Sequence, residues 1–128
     1  RYEPGATVLQ CTSSYPCPPG ATNLRTLLEW QGFEERSEHL YPAMIGFSDH
    51  TRSPLSGAVA VGAGARAIEF HLRLYDTDSN NPDFAVSRSP GEARTYIENI
   101  RTAEVLMGDG RKRVMPEEQA MAKYKRTG

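Results

Sequence analysis

The sequence predicts an α/β fold built from three parallel βα units. Three segments rich in apolar and β-branched residues alternate along the chain with three segments of helical spacing. The predicted strands are 6–14, 43–51 and 66–74, and the predicted helices lie within 21–36, 53–65 and 89–110. Strand–helix–strand units of this kind form right-handed crossovers, which make the strands parallel. Each predicted strand also ends in polar residues, and α/β proteins assemble their sites at the carboxyl ends of strands.

Length and composition favour a single domain, 1–128, with the βα units in 1–110 and a basic extension or linker in 111–128. The net charge is −1, which gives no indication of a nucleic-acid partner. No apolar run approaches the ~20 residues that a membrane span needs, so we expect no membrane partner. Cys11 and Cys17 are too few for a disulfide framework, and we expect both to be reduced in a cytoplasmic protein.

The first unit ends in "CTSSYP", which carries three residues of interest. A nucleophilic Cys11 would need a general base, and nothing in the sequence places one nearby, so we interpret it as a small buried residue. Ser13 fits either a phosphate donor or a turn residue. Tyr15 fits either one wall of a ligand site or core packing.

The second unit combines "FSDHT" with an Ala/Gly-rich segment that suits a buried helix packed tightly on the sheet. Strand side chains alternate between faces, so Ser48 and His50 share one face. Asp49 fits contact with an imidazole or capping of the following helix. Ser53, just before a proline, is the better predicted cap.

The third strand, "RAIEFHLRL", places an acid and an imidazole on one face, Glu69 and His71. If this strand pairs with the second, at about 4.8 Å spacing, His50 and His71 meet at the same end. Two neutral imidazoles with oxygen donors fit an open divalent-metal site, and on the sequence alone they fit hydrogen-bonding or surface histidines equally well. Ligand type alone leaves Mn²⁺, Zn²⁺ and Fe²⁺ as alternatives.

The last helix has the clearest signals of the chain. Ser89 can cap it, Pro90 suits its first turn, Glu92 can complete a capping box and Gly108 can end it. Its predicted apolar side consists of Ile97, Ile100, Ala103, Val105 and Leu106.

Taken in order, the motifs resemble the second half of the sialic acid synthase (N-acetylneuraminate synthase) family. The segments that carry the resemblance are "LQCTSSYPCPP", "IGFSDHT", "AVAVGAGARAIEFH", "NPDFAVSRSPGEARTYIENIRTAEVLMGDGRK" and "PEE". The resemblance implies a partial TIM-type (β/α) barrel, its three βα units matching the last strands. It also implies metal-dependent condensation of phosphoenolpyruvate with an N-acyl hexosamine of the N-acetylmannosamine type, which gives a nine-carbon 2-keto sugar acid.

The resemblance also assigns residues to roles. His50 and His71 would bind Mn²⁺ or Mg²⁺, and with Glu69 they form the implied catalytic group. The implied substrate-binding residues are Ser13, Tyr15, Ser48 and Asp83. Ser13 and Ser48 match positions that contact phosphoenolpyruvate, whereas Tyr15, Glu69 and Asp83 match positions on the sugar side.

This chain departs from the family pattern at several positions. Phe70 stands where Lys or Arg is usual, Leu72 and Arg73 replace Phe-Thr, and "NPDF" replaces the common Gly-Pro-Asp-His, which bears on sugar specificity. The family's early strands, with their catalytic acid and phosphate-binding lysines, and its antifreeze-like domain have no counterpart here.

We therefore expect a homo-oligomer or a complementing barrel half. The alternative is a catalytically incompetent half-barrel that acts as an oligomeric binding or structural protein. A Schiff-base aldolase is a weaker alternative, since no lysine precedes Lys112.

Overall fold

A computed structural model describes residues 6–34 and 44–124. The elements, in chain order, are β1 (Thr7–Cys11), a 3₁₀ turn (Pro19–Ala21), α1 (Arg25–Glu34), β2 (Met44–Asp49), α2 (Ser56–Gly62), β3 (Ala67–Phe70), α3 (Pro90–Met107) and a 3₁₀ segment (Pro116–Tyr124). The predicted alternation of three strands and three helices is confirmed. None of the helices described combines the length and apolar character that a membrane crossing requires.

The three strands form one parallel sheet in the order β1-β2-β3. The register of β2 and β3 places Ser48 opposite Glu69 and Asp49 opposite Phe70. The strands are shorter than predicted because their polar ends leave the sheet and form turns, so His71 lies just beyond β3. Ala43, the predicted start of the second strand, lies outside the described residues.

The helices pack against the sheet around a small apolar core. This core consists of Leu27, Phe47, Ala60, Ala63 and Ala65. Helices α2 and α3 are in close contact because Gly57 has no side chain. A Cβ atom there would lie 2.6 Å from the Tyr96 hydroxyl oxygen, which explains the small residues of α2.

The ends of the helices confirm one capping prediction and correct another. Helix α3 has the predicted capping box of Ser89 and Glu92, and Gly108 is its C-cap with φ 60°. Helix α2 begins after Leu55, which makes no side-chain cap hydrogen bond. Ser53 lies too early to cap α2; its hydroxyl oxygen accepts a hydrogen bond from the Leu55 amide at 3.2 Å.

The predicted apolar side of α3 is only partly correct. Ile100 is buried, together with Ala93 and Tyr96, but Val105 and Leu106 are each 80% exposed. Residues five and six positions after Ile100 lie roughly 120–140° away around a helix of 3.6 residues per turn. The buried stripe therefore follows Ala93, Tyr96 and Ile100, and the later pair turns away from the sheet.

Candidate functional site

The carboxyl ends of β2 and β3 bring three potential ligands together. One ligand atom each from His50, Glu69 and His71 lies within 4.8 Å of the others. The two imidazole centroids are 5.1 Å apart, as expected from the pairing of adjacent strands. Ser48 lies opposite Glu69 and donates a hydrogen bond to its Oε2 at 2.5 Å. The predicted shared faces are therefore present in the fold.

The contacts of the two imidazoles leave a nitrogen of each available for a metal, since Ser48 Oγ, 3.5 Å from His50 Nε2, donates its proton to Glu69 instead. His50 Nδ1 lies 2.9 Å from the Thr12 carbonyl oxygen, which can only accept, so Nδ1 carries the proton and Nε2 keeps its lone pair. His71 Nδ1 lies 3.5 Å from Asp83 Oδ2. Metal-binding histidines commonly orient themselves in this way, with a carbonyl or carboxylate on the other nitrogen. Two imidazole nitrogens and a carboxylate oxygen thus fit a divalent transition metal.

Tyr15 forms one wall of this site. Its ring centroid lies 4.2 Å from that of His50 and 6.0 Å from that of His71. The side chain is 48% exposed, so it faces both the imidazoles and solvent. The prediction left a ligand wall and core packing open, and the ring's place beside the cluster favours the wall.

The surroundings of Tyr15 also keep its phenol protonated. Burial raises its pKa above the ordinary value of about 10, and the nearby Cys11, Asp83 and Glu69 raise it further by disfavouring the phenolate. At neutral pH the hydroxyl group is therefore neutral and can donate a hydrogen bond to a ligand.

Of the two remaining residues of the first strand end, only Cys11 departs from the expectation. Cys11 is exposed rather than buried, because β1 ends there and its side chain lies at the site, with Sγ 3.9 Å from His50 Nδ1. Ser13 is exposed in the following loop, and within the described segments no hydrogen bond links it to the cluster. Both cysteines are free thiols.

Asp49 belongs to a buried network on the opposite face of β2, which the sequence reading missed. Its Oδ2 accepts hydrogen bonds from Arg88 at 2.8 Å, from the Tyr96 hydroxyl at 2.6 Å and from Ser56, while Oδ1 accepts from the Thr51 amide at 2.8 Å. The Asp49 carboxylate therefore binds these donors, and not the imidazole or the α2 amides that the sequence analysis expected. Burial, together with the hydrogen bond to Asp49, raises the pKa of Tyr96 far above its ordinary value.

A signal for this network was present in the sequence. Alternation places Asp49 on the face opposite His50, inside a strand that parallel packing buries on both sides. A buried carboxylate needs a cation or several donors. Arg88, among the small residues of "AVSRSP", was one of the available cations.

Three parallel βα units with two imidazoles and a carboxylate at the carboxyl strand ends define an α/β protein with a candidate metal site. The chain belongs to the NeuB family, whose family model matches residues 3–112. This confirms the resemblance found in the sequence.

The chain is similar in sequence to two synthases and similar in structure to a third. The human N-acetylneuraminate-9-phosphate synthase is 34% identical over 118 residues, which are 91% of this chain and 31% of that protein. The N,N'-diacetyllegionaminic acid synthase of Campylobacter jejuni is 34% identical over 113 residues, 88% of this chain and 31% of that protein. The N-acetylneuraminic acid synthetase of Leptospira borgpetersenii superposes with a TM-score of 0.71 at 27% identity, covering 92% of this chain and 39% of that one. The chain thus spans less than half of each relative.

Proposed function

We propose that the chain carries the metal- and sugar-binding part of a sialic acid synthase-like barrel. The reaction is condensation of phosphoenolpyruvate with the open-chain aldehyde of an N-acyl hexosamine. Carbon 3 of phosphoenolpyruvate bonds to the aldehyde carbon, water adds at carbon 2 and phosphate leaves, which gives a nine-carbon 2-keto sugar acid. The observation that carries the proposal is the convergence of His50, Glu69 and His71 within 4.8 Å in a member of the NeuB family.

The two imidazoles are the proposed metal ligands. When bound, Mn²⁺ or Mg²⁺ would act as a Lewis acid that polarises the aldehyde and as a template for both substrates. Imidazole nitrogens favour Mn²⁺ over Mg²⁺, which prefers oxygen. Thr12 and Asp83 orient the rings of His50 and His71 through Nδ1.

The other side chains of the site have proposed substrate contacts. Glu69 accepts a sugar hydroxyl group, since its carboxylate is exposed and already oriented by Ser48. The neutral Tyr15 phenol donates to the sugar, and Asp83 lies on the same side, near His71. Ser13 and Ser48 are the proposed contacts to phosphoenolpyruvate.

The proposed site needs further strands. Three strands do not close a barrel, and the curated relatives described above are about three times as long. No lysine precedes Lys112, so the phosphate-binding lysines that the resemblance implies are expected on the further strands. We infer that a complementing barrel half, or copies of this chain, supply them. The same observations favour the second candidate, an oligomeric half-barrel that binds ligand without catalysis.

Calorimetric titration of the chain with Mn²⁺ tests the metal site directly. Wild-type protein should bind Mn²⁺, and more tightly when phosphoenolpyruvate is present. His50→Ala and His71→Ala should each lose most of the affinity, whereas Glu104→Gln, on the exposed part of α3, should keep it. Unchanged binding in both histidine variants would rule out the site.

Phosphate release separates the two candidate functions. The chain is mixed with N-acetylmannosamine and phosphoenolpyruvate, alone and together with the first half of a synthase barrel, and its oligomeric state is measured by sedimentation. Phosphate release only in the presence of the added barrel half supports an enzyme that is active once its barrel is complete. Metal binding with no release in either mixture supports the binding protein.

A further inference from the structure

Arg88 makes contact with both chain segments that carry the histidines. Its backbone amide donates to the His71 carbonyl oxygen at 2.8 Å, and its own carbonyl oxygen accepts from the Arg73 amide at 2.9 Å. Its side chain reaches across to β2, where Nη2 donates to Asp49 Oδ2 at 2.8 Å. Asp49 is the residue directly before His50. One residue thus connects the end of β2 with the segment after β3.

This connection is sealed from solvent. Arg88 is 5% exposed and Asp49 is fully buried. The guanidinium carbon lies 3.8 Å from the centroid of the Tyr96 ring, whose hydroxyl group donates to the same carboxylate. A contact this deeply buried is far less mobile than a surface ion pair, so it can fix the relative position of the segments that it joins.

Stability alone does not account for this ion pair. Buried ion pairs contribute no more stability, on balance, than well-packed apolar residues of similar volume. Arg88 Nη1 is buried and has no hydrogen-bond partner within residues 6–34 and 44–124, which adds to the cost of burying the cation. We therefore look for a role of this ion pair other than stability, one that two apolar side chains could not fill.

We propose that Arg88 is a positioning residue that fixes the separation of the two imidazoles. It holds His50 through the Asp49 carboxylate and His71 through a backbone hydrogen bond, and it touches no ligand itself. The proposal rests on the proposed metal site. Because Arg88 acts on the protein before any metal binds, its effect extends to the metal-free chain.

The test compares Arg88→Met, Arg88→Lys and the double variant Asp49→Asn/Arg88→Met. Mn²⁺ affinity is measured by calorimetry, ring-to-ring nuclear Overhauser contacts between the imidazoles by NMR without metal, and stability by urea unfolding. Ile100→Ala, a buried position farther along α3, is the control for destabilisation alone.

Loss of the positioning contact should weaken Mn²⁺ binding by up to the roughly 10- to 100-fold lost when a direct hydrogen-bond partner of a metal ligand is removed. Arg88→Met and the double variant should both show this weaker binding. The double variant leaves no unpaired charge, so it should recover stability. Arg88→Lys should restore part of the affinity. Ile100→Ala should lose stability and keep its affinity.

Two results would overturn the inference. One is wild-type affinity and wild-type ring contacts in the folded double variant; the other is affinity that follows stability across all variants, including Ile100→Ala. If wild-type protein binds no Mn²⁺, the proposed metal site fails. In that case the contacts between the two imidazole rings, measured in the metal-free variants, test by themselves whether Arg88 positions the rings.

Discussion

The two faces of the β2 carboxyl end both contain buried polar residues, but the partners of these residues differ. On one face, Ser48 and His50 point into the site beside Glu69 and Tyr15, and His50 Nε2 keeps a lone pair for a ligand. On the other face, Asp49 accepts hydrogen bonds from donors on four other residues and is fully buried.

The difference shows how one strand can serve binding and positioning together. Alternation separates the two functions residue by residue, so neighbouring positions can have unrelated roles. Substitutions on the Asp49 face should change the free energy of unfolding, because they leave charges or cavities in the interior, and through the position of His50 they should also weaken ligand binding. Substitutions on the site face should mainly change ligand binding.

The largest expected effect is that of Asp49→Ala. The substitution leaves Arg88 buried without its carboxylate, and loss of one partner of a buried ion pair costs about 3–5 kcal/mol. Urea unfolding measures this loss. The matched variant is Glu69→Ala, on the site side of the neighbouring strand β3, whose side chain is exposed, and it should change stability by less than about 1 kcal/mol. Equal losses in the two variants would contradict the division of the two faces.

A smaller effect is expected from Gly57→Ala in α2. The new Cβ atom would press on the Tyr96 hydroxyl oxygen, 2.6 Å away, and disturb its hydrogen bond to Asp49. Overpacking of this kind costs about 1–3 kcal/mol. Gly62→Ala, in the same helix, meets only Met107 Sδ at 3.9 Å and should instead gain about 0.5–1 kcal/mol. Thermal unfolding of both variants checks the opposite signs.

The periodicity of the sequence was sufficient to predict those structural features that depend on short segments of the chain. The alternation of strands and helices, the shared faces of Ser48 with His50 and of Glu69 with His71, and the capping box at Ser89 are all properties of short segments. The proximity of the two imidazoles followed because adjacent parallel strands have a fixed spacing.

The missed features depend on contacts between distant segments. Arg88 and Asp49 are 39 positions apart, and only the packing of α3 against α2 and the sheet brings them together. Cys11 is exposed because β1 ends earlier than its composition indicated. Periodicity gave the length of α3 correctly but not the direction of its buried stripe, which tertiary packing decides.

The smallest expected effect concerns the exposed start of α3, where neither face of β2 is involved. Hydrogen bonds from the Ser89 amide and hydroxyl group hold the pKa of Glu92 below its ordinary value, with a smaller contribution from Arg52 and Arg73. A lowered carboxyl pKa stabilises the fold above the ordinary glutamate pKa of about 4.3, and this contribution disappears as the pH falls through the lower folded value. Glu92→Gln should therefore be less stable than wild type at pH 7, by no more than the roughly 1 kcal/mol of a helix cap, and the difference should shrink on acidification. Urea unfolding of both proteins at neutral and acidic pH measures this, and a difference independent of pH would show that the Glu92 charge does not contribute to the cap.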